Sequence, residues 1–149
     1  METWFRFRLG AHWLAFSVGH VEEVCSPSPP TPIPLAPRHI IGLTTIRGRV
    51  IPLLDLRLFL DLPEAGGARA GEDPDRPMER VIIVAADGMQ VGIPCDQTAG
   101  LVQVGEARRL DAVQGEKLKR YARAEIMLDQ DLLVLVDVPT LLEGAKVRP

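Results

Sequence analysis

Hydrophobic and polar positions alternate with a period of two along much of the chain. Phe5, Phe7 and Leu9 are separated by Arg6 and Arg8; after Gly10-Ala11-His12 the alternation returns with Leu14, Phe16 and Val18. Such a period puts successive side chains on opposite faces of a strand, so these residues predict a hairpin. Val21-Glu22-Glu23-Val24 predicts a third extended piece. Residues 40–43 read as a helical turn ending near Gly42, and residues 44–46 as a strand. Arg47-Gly48-Arg49 is a turn in which Gly48 is free to take positive φ. Val50-Ile51-Pro52-Leu53-Leu54 is an apolar strand, and Pro52, lacking an N–H, places it at a sheet edge or bulge. Residues 56–60 predict a short helix.

Further on, residues 81–84 and 90–94 are strands joined by the turn Asp87-Gly88. Leu101, Val102 and Val104 mark another strand. Residues 106–123 are polar, with Leu110, Val113, Leu118 and Tyr121 at loosely helical spacing. Residues 124–128 and 132–136 form a last hairpin around Asp129-Gln130-Asp131, and a helix begins near Pro139.

Two stretches break this pattern. Residues 27–37 hold six of the thirteen prolines, which excludes a helix interior or a central strand. An extended loop laid across a surface accounts for them better than a ligand for a polyproline reader. Residues 61–79 carry Gly66-Gly67, Gly71, Pro74, Pro77 and several charges without apolar periodicity, as a linker does.

The halves on either side of that linker resemble each other. Val50-Ile51-Pro52-Leu53-Leu54-Asp55 precedes Leu58-Phe59-Leu60, and Leu132-Leu133-Val134-Leu135-Val136-Asp137 precedes Thr140-Leu141-Leu142. Each unit is an apolar strand, an Asp suited to cap a helix, and a short apolar helix, with a hairpin before it. This predicts an all-β fold of two small barrels packed together.

Composition narrows the function. At 149 residues the chain is one domain or two very small ones. A net charge of -3 and 5% aromatic residues leave neither the basic footprint nor the stacking platform of a nucleic-acid binder. The N-terminus carries charges where a signal peptide needs an apolar run. The longest apolar run, residues 81–86, is far short of the ~20 residues that span a bilayer. Direct membrane insertion is therefore not expected, and Cys25 and Cys95 alone fit a reducing, cytoplasmic setting.

Catalytic chemistry has no visible carrier. His12, His20 and His39 are scattered, Cys95 lies at the end of an apolar strand, and Asp55 and Asp137 sit where helix caps belong. No catalytic residue, metal site or cofactor is expected. One cluster stands apart: Arg47 at a tight turn, with Glu22-Glu23 on another strand as an acidic partner. An exposed ion pair is worth only ~0–1 kcal/mol, so stability hardly requires it. Arginine is a favoured interface anchor, which makes Arg47 a candidate recognition residue.

The chain resembles the CheW family of chemotaxis coupling proteins over nearly its whole length. Four stretches carry the resemblance: residues 5–24; Ile41-Gly42-Leu43-Thr44-Thr45-Ile46-Arg47-Gly48-Arg49-Val50-Ile51-Pro52-Leu53-Leu54-Asp55-Leu56-Arg57; Val91-Gly92-Ile93 with Asp96; and residues 132–137 with Leu141-Leu142. It implies two five-stranded, SH3-like β-barrels, about residues 1–62 and 80–149 joined by a loop over 63–79, with strand exchange between barrels left open. It implies no catalysis and no cofactor. The implied partners are the cytoplasmic tip of a methyl-accepting chemoreceptor and the regulatory domain of a CheA-type histidine kinase, engaged by a chain that is monomeric in solution and assembles in arrays.

The family's interaction residues fall on Val21, Glu23, Gly42, Leu43, Arg47 and Leu101. The sequence departs from the family at Thr45, where Asn is usual, and at Cys95, where a β-branched residue is usual. It also departs in its proline-rich stretch, its long linker and the glycine-free residues 120–124. These departures point to a specialised coupler. The alternative is an interaction module that binds receptors or another partner without activating a kinase.

Overall fold

Ten strands and three short helices account for most of the computed structural model, which describes residues 2–63, 70, 72, 79–105 and 115–146. The strands are β1 (Glu2–Leu9), β2 (His12–Ser17), β3 (Val21–Cys25), β4 (Ile40–Ile46), β5 (Arg49–Leu54), β6 (Arg80–Ala86), β7 (Met89–Cys95), β8 (Gln97–Val104), β9 (Ala122–Leu128) and β10 (Asp131–Val136). The helices are α1 (Leu56–Phe59), α2 (Glu116–Tyr121) and α3 (Val138–Ala145). Most of the linker, and Leu110 and Val113 of the loosely helical stretch, lie outside the described residues.

The strands form two five-stranded sheets, in the orders β8-β1-β2-β10-β9 and β3-β6-β7-β5-β4. The expected division near residues 62 and 80 does not describe these sheets. The hairpin β1–β2 joins β8, β9 and β10, and the hairpin β6–β7 joins β3, β4 and β5. Each half thus lends a hairpin to the other. Each lent hairpin makes one antiparallel joint, β1 with β8 and β6 with β3, and one parallel joint, in which Val134 pairs with Leu14 and Leu53 with Gly92. Local periodicity defines a hairpin but carries no information about the distant strand it lies beside.

Both faces of the central strands are buried, and this explains their continuous apolar runs. Leu14, Phe16, Val134 and Val136 enter a large cluster between the sheets, while Ala15, Leu133 and Leu135 enter a smaller one with Trp4 and Val104. On the other side Ile82, Val84 and Leu54 face the shared cluster, and Ile51, Leu53, Val81 and Ile83 form the third. Each sheet therefore wraps its own core, and the largest core joins the two.

The repeat seen in the sequence is structural. Asp55 caps α1 by accepting from the Leu58 N–H at 3.3 Å, and Asp137 caps α3 by accepting from the Thr140 N–H at 3.4 Å. Asp55 donates its own N–H to the His39 carbonyl, and Asp137 to that of Tyr121. A β-bulge falls at matching places, between Ile40 and Gly42 and opposite Leu135/Val136.

Three local expectations are corrected. Residues 40–43 are strand, not a helical turn: they pair with β5, and Thr31 bridges to Leu43 from the other side. Gly42 allows that approach, because a Cβ there would collide with the Thr31 carbonyl. Pro52 is not on an edge strand, since β5 lies between β7 and β4. Leu43 exchanges both backbone hydrogen bonds with Thr31, so its pairing with Pro52 needs no N–H from the proline. Val18 lies beyond the end of β2, in a 3-10 turn over Val18–His20.

Candidate protein-interaction surface

The β4–β5 hairpin turns on two residues, with Ile46 paired to Arg49 across its neck. Arg47 has φ 52° and Gly48 has φ 78°. Tight hairpins favour this conformation because it matches strand twist, but they usually place Asn, Asp or Gly first. An L-residue with a full side chain is disfavoured there by roughly 1–2 kcal/mol.

Arg47 reaches across to β3, where its Nε lies 3.2 Å from Glu23 Oε2. β3 and β4 are the two border strands of their sheet, so this ion pair spans the seam where the sheet curls toward closure. Ser28 and Thr44 share a hydroxyl hydrogen bond at 3.2 Å on the same seam. Glu23 is largely shielded, at 20% side-chain exposure, whereas Arg47 remains 79% exposed. A pair this open contributes ~0–1 kcal/mol and does not offset the backbone conformation. What the arrangement achieves is a guanidinium held in place and presented to solvent.

The other expected residues are distributed around this point. Val21 shares β3 with Glu23 and packs partly against the central core. Gly42 is buried beneath Thr31, and Leu43 is half-buried on the strand leading to Arg47. Leu101 lies in the other sheet, 61% exposed on β8. β8 borders its sheet beside β1 as β3 borders its own beside β6, so Leu101 occupies the corresponding strand and not the same patch.

The cysteines sit in settings that suppress thiolate formation. Burial raises the Cys25 thiol, Glu23 raises it further, and Arg47 opposes both. Burial, with Asp96 and Glu79 beside it, pushes Cys95 up to about 12.

An apolar groove of about 440 Å³ was not anticipated from the sequence. It is lined by Ile33 and Ala36 of the proline-rich loop, Leu54 and Val91 of β5 and β7, and Leu142 and Ala145 of α3. The only sequence signal for it is Ile33, Leu35 and Ala36 interleaved with the prolines. Among the described residues no group of His, Cys, Asp and Glu gathers to hold a metal ion. No described helix is long and apolar enough to cross a membrane.

Residues 3–146 match the family described as CheW-like domain. The chain belongs to that family. Among CheW-like relatives, the Protein FrzA of Myxococcus xanthus is 30% identical over 154 residues, covering 99% of this chain and 89% of that protein. The chemotaxis protein CheW of Bacillus subtilis is 29% identical over 144 residues, covering 95% and 87%. That of Thermotoga maritima is 24% identical over 143 residues, covering 95% and 88%. The fold matches the crystal structure of the scaffolding protein TtCheW from Thermoanaerobacter tengcongensis with a TM-score of 0.72 at 22% identity, covering 91% of this chain and 83% of that one. The CheW-like assignment makes this chain a chemotaxis adaptor of scaffold type, and two five-stranded sheets with few short helices are its architecture.

Proposed function

We propose that this chain couples the cytoplasmic tip of a chemoreceptor to the regulatory domain of a CheA-type histidine kinase, in the cytoplasm and without chemistry of its own. The observation that carries the reading is the Arg47 guanidinium, held by Glu23 on a strained turn and left open to solvent. Val21, Leu43 and the backbone at Gly42 shape the surface behind it. Leu101 marks the matching strand of the second sheet.

A coupler needs two separable surfaces, and the hairpin tip and the apolar groove supply two. Each contact is small, in the range of weak transient interfaces below ~1,200 Å². Many such contacts in an array add through effective concentration.

The test is calorimetric titration with a receptor tip fragment and a kinase regulatory domain from the same genome. Arg47→Glu is expected to weaken one partner at least about tenfold, or 1.4 kcal/mol, with little change in Tm. Met89→Glu, which puts a charge at the groove, is expected to weaken the other. Failure of both partners to bind overturns the coupling reading. Binding of the receptor alone makes the protein a module that occupies array positions without switching a kinase.

A further inference from the structure

One turn of the proline-rich loop carries a leucine where the backbone calls for another residue. Ala36 donates its N–H to the Ile33 carbonyl at 3.3 Å, which closes a four-residue turn over Ile33-Pro34-Leu35-Ala36. Leu35 is third in that turn and takes φ 62°. Proline second and positive φ third make it a type II turn, whose third position suits glycine or asparagine. Among the described residues the other non-glycine residues with positive φ are Arg47, Asp61, Asp87, Asp129 and Gln130, all of them polar.

Leu35 is also fully exposed, at 104%, where the next large hydrophobic residue, Val50, stands at 64%. An exposed leucine alone needs no explanation. Here exposure and backbone strain coincide, and the fold holds both in place. Pro34 and Pro37 fix their own φ, the Ile40 N–H binds the Pro37 carbonyl at 2.9 Å, and Ile33 and Ala36 pack against the main core. Strain that the surroundings maintain in this way gathers at ligand clamps and binding sites.

Leu35 belongs to the lining of the 440 Å³ apolar groove, and that lining defines what fits. Its polar side chains are Gln90, which already donates to Glu22, and Lys146, its one charge. An extended peptide laid there would leave backbone N–H and C=O groups unpaired against apolar side chains, whereas a helix satisfies its own. An acidic side chain on such a helix complements Lys146. We propose that Leu35 is the anchor for a partner helix seated in this groove: its side chain enters the apolar stripe of the helix, and an Asp or Glu of the helix faces Lys146. The turn presents the leucine before the partner arrives, so little ordering remains to be done on binding. The inference deepens the coupling reading and rests on it, since the helix belongs to the partner that the groove binds.

Leu35→Asn separates anchoring from folding, because Asn suits the turn and removes the apolar side chain. The full chain is titrated calorimetrically with the receptor tip fragment and with the kinase regulatory domain, beside denaturant midpoints. Leu35→Asn is expected to leave the midpoint unchanged or raised. It is expected to weaken roughly tenfold or more the partner that Met89→Glu weakens, and to spare the one that Arg47→Glu weakens. Leu35→Met, which keeps an apolar side chain there, is expected to retain most of the affinity. Lys146→Glu is expected to weaken the same partner, more strongly at low salt.

A Leu35→Asn protein that binds both partners as the wild type does overturns the anchor and leaves the coupling reading standing. Weaker binding accompanied by a lowered midpoint, in Leu35→Asn and Leu35→Gly alike, makes the leucine structural and overturns the anchor too. Wild-type protein that binds neither partner overturns the coupling reading and the anchor together.

Discussion

His39 packs edge-on against the Phe59 ring, with centroids 5.0 Å apart, and Phe59 in turn meets Tyr121 at 5.2 Å. Burial lowers the affinity of His39 for a proton, Lys117 lowers it further, and Asp55 only partly compensates. As the pH falls below the ordinary value of 6.5, the unfolded chain takes up this proton before the folded one does. Stability from this site is therefore complete above about 6.5, declines as the pH drops below it, and levels off once the folded form is protonated too. Denaturant midpoints measured from pH 8 to 5 are expected to show that decline, and His39→Gln is expected to flatten it. Gly42 gives a second prediction at this scale. Gly42→Ala forces the Thr31 bridge away from β4, and overpacking of this kind costs roughly 1–3 kcal/mol in equilibrium unfolding.

The helix caps show how equivalent elements diverge. Asp137 caps α3 from a half-buried position, and Asp137→Ala is expected to cost about 0.5–2 kcal/mol. Asp55 is 2% exposed and accepts from the Ala70 N–H at 2.6 Å as well as from Leu58. Asp55→Ala therefore leaves a second donor without its partner and is expected to cost about 1–3 kcal/mol more, seen as a lower denaturation midpoint at unchanged m. Both caps were legible in the sequence, because an Asp between an apolar strand and an apolar helix has a local reason to be there. The tight turns were legible for the same reason. The partner of Arg47 was not: the residues offered Glu22 and Glu23 alike, only the family resemblance pointed to Glu23, and the fold pairs Glu23 with Arg47 while Glu22 meets Gln90. Residues 40–43 were misread because Gly42 looks like a helix stop, while its actual use depends on Thr31 approaching from another segment. The groove was illegible because its walls come from a loop, two strands and a helix far apart in sequence.

At the scale of the molecule, the exchanged hairpins tie the two halves into one unit. The largest core draws on β1, β2, β6, β7, β10 and α3 together, so neither sheet melts without uncovering the other. A single cooperative transition is expected, with calorimetric and van't Hoff enthalpies in agreement. Cutting the chain between residues 63 and 79 is expected to leave the two pieces associated, with near-native circular dichroism. Either piece made alone is expected to lack a cooperative transition, and mixing the two is expected to restore it. The same exchange sets a timetable for synthesis. Leu14 pairs with Phe7 within its own hairpin, but its partner on the other side, Val134, comes 120 residues later. A ribosome adding about 5–20 residues per second takes roughly 6–24 s to cover that distance. Through that interval Phe7, Leu14 and Phe16 lack the strand whose Val134 and Val136 share their core. The first hairpin made is thus among the last to be housed, and its apolar face stays open to non-native contacts for most of synthesis.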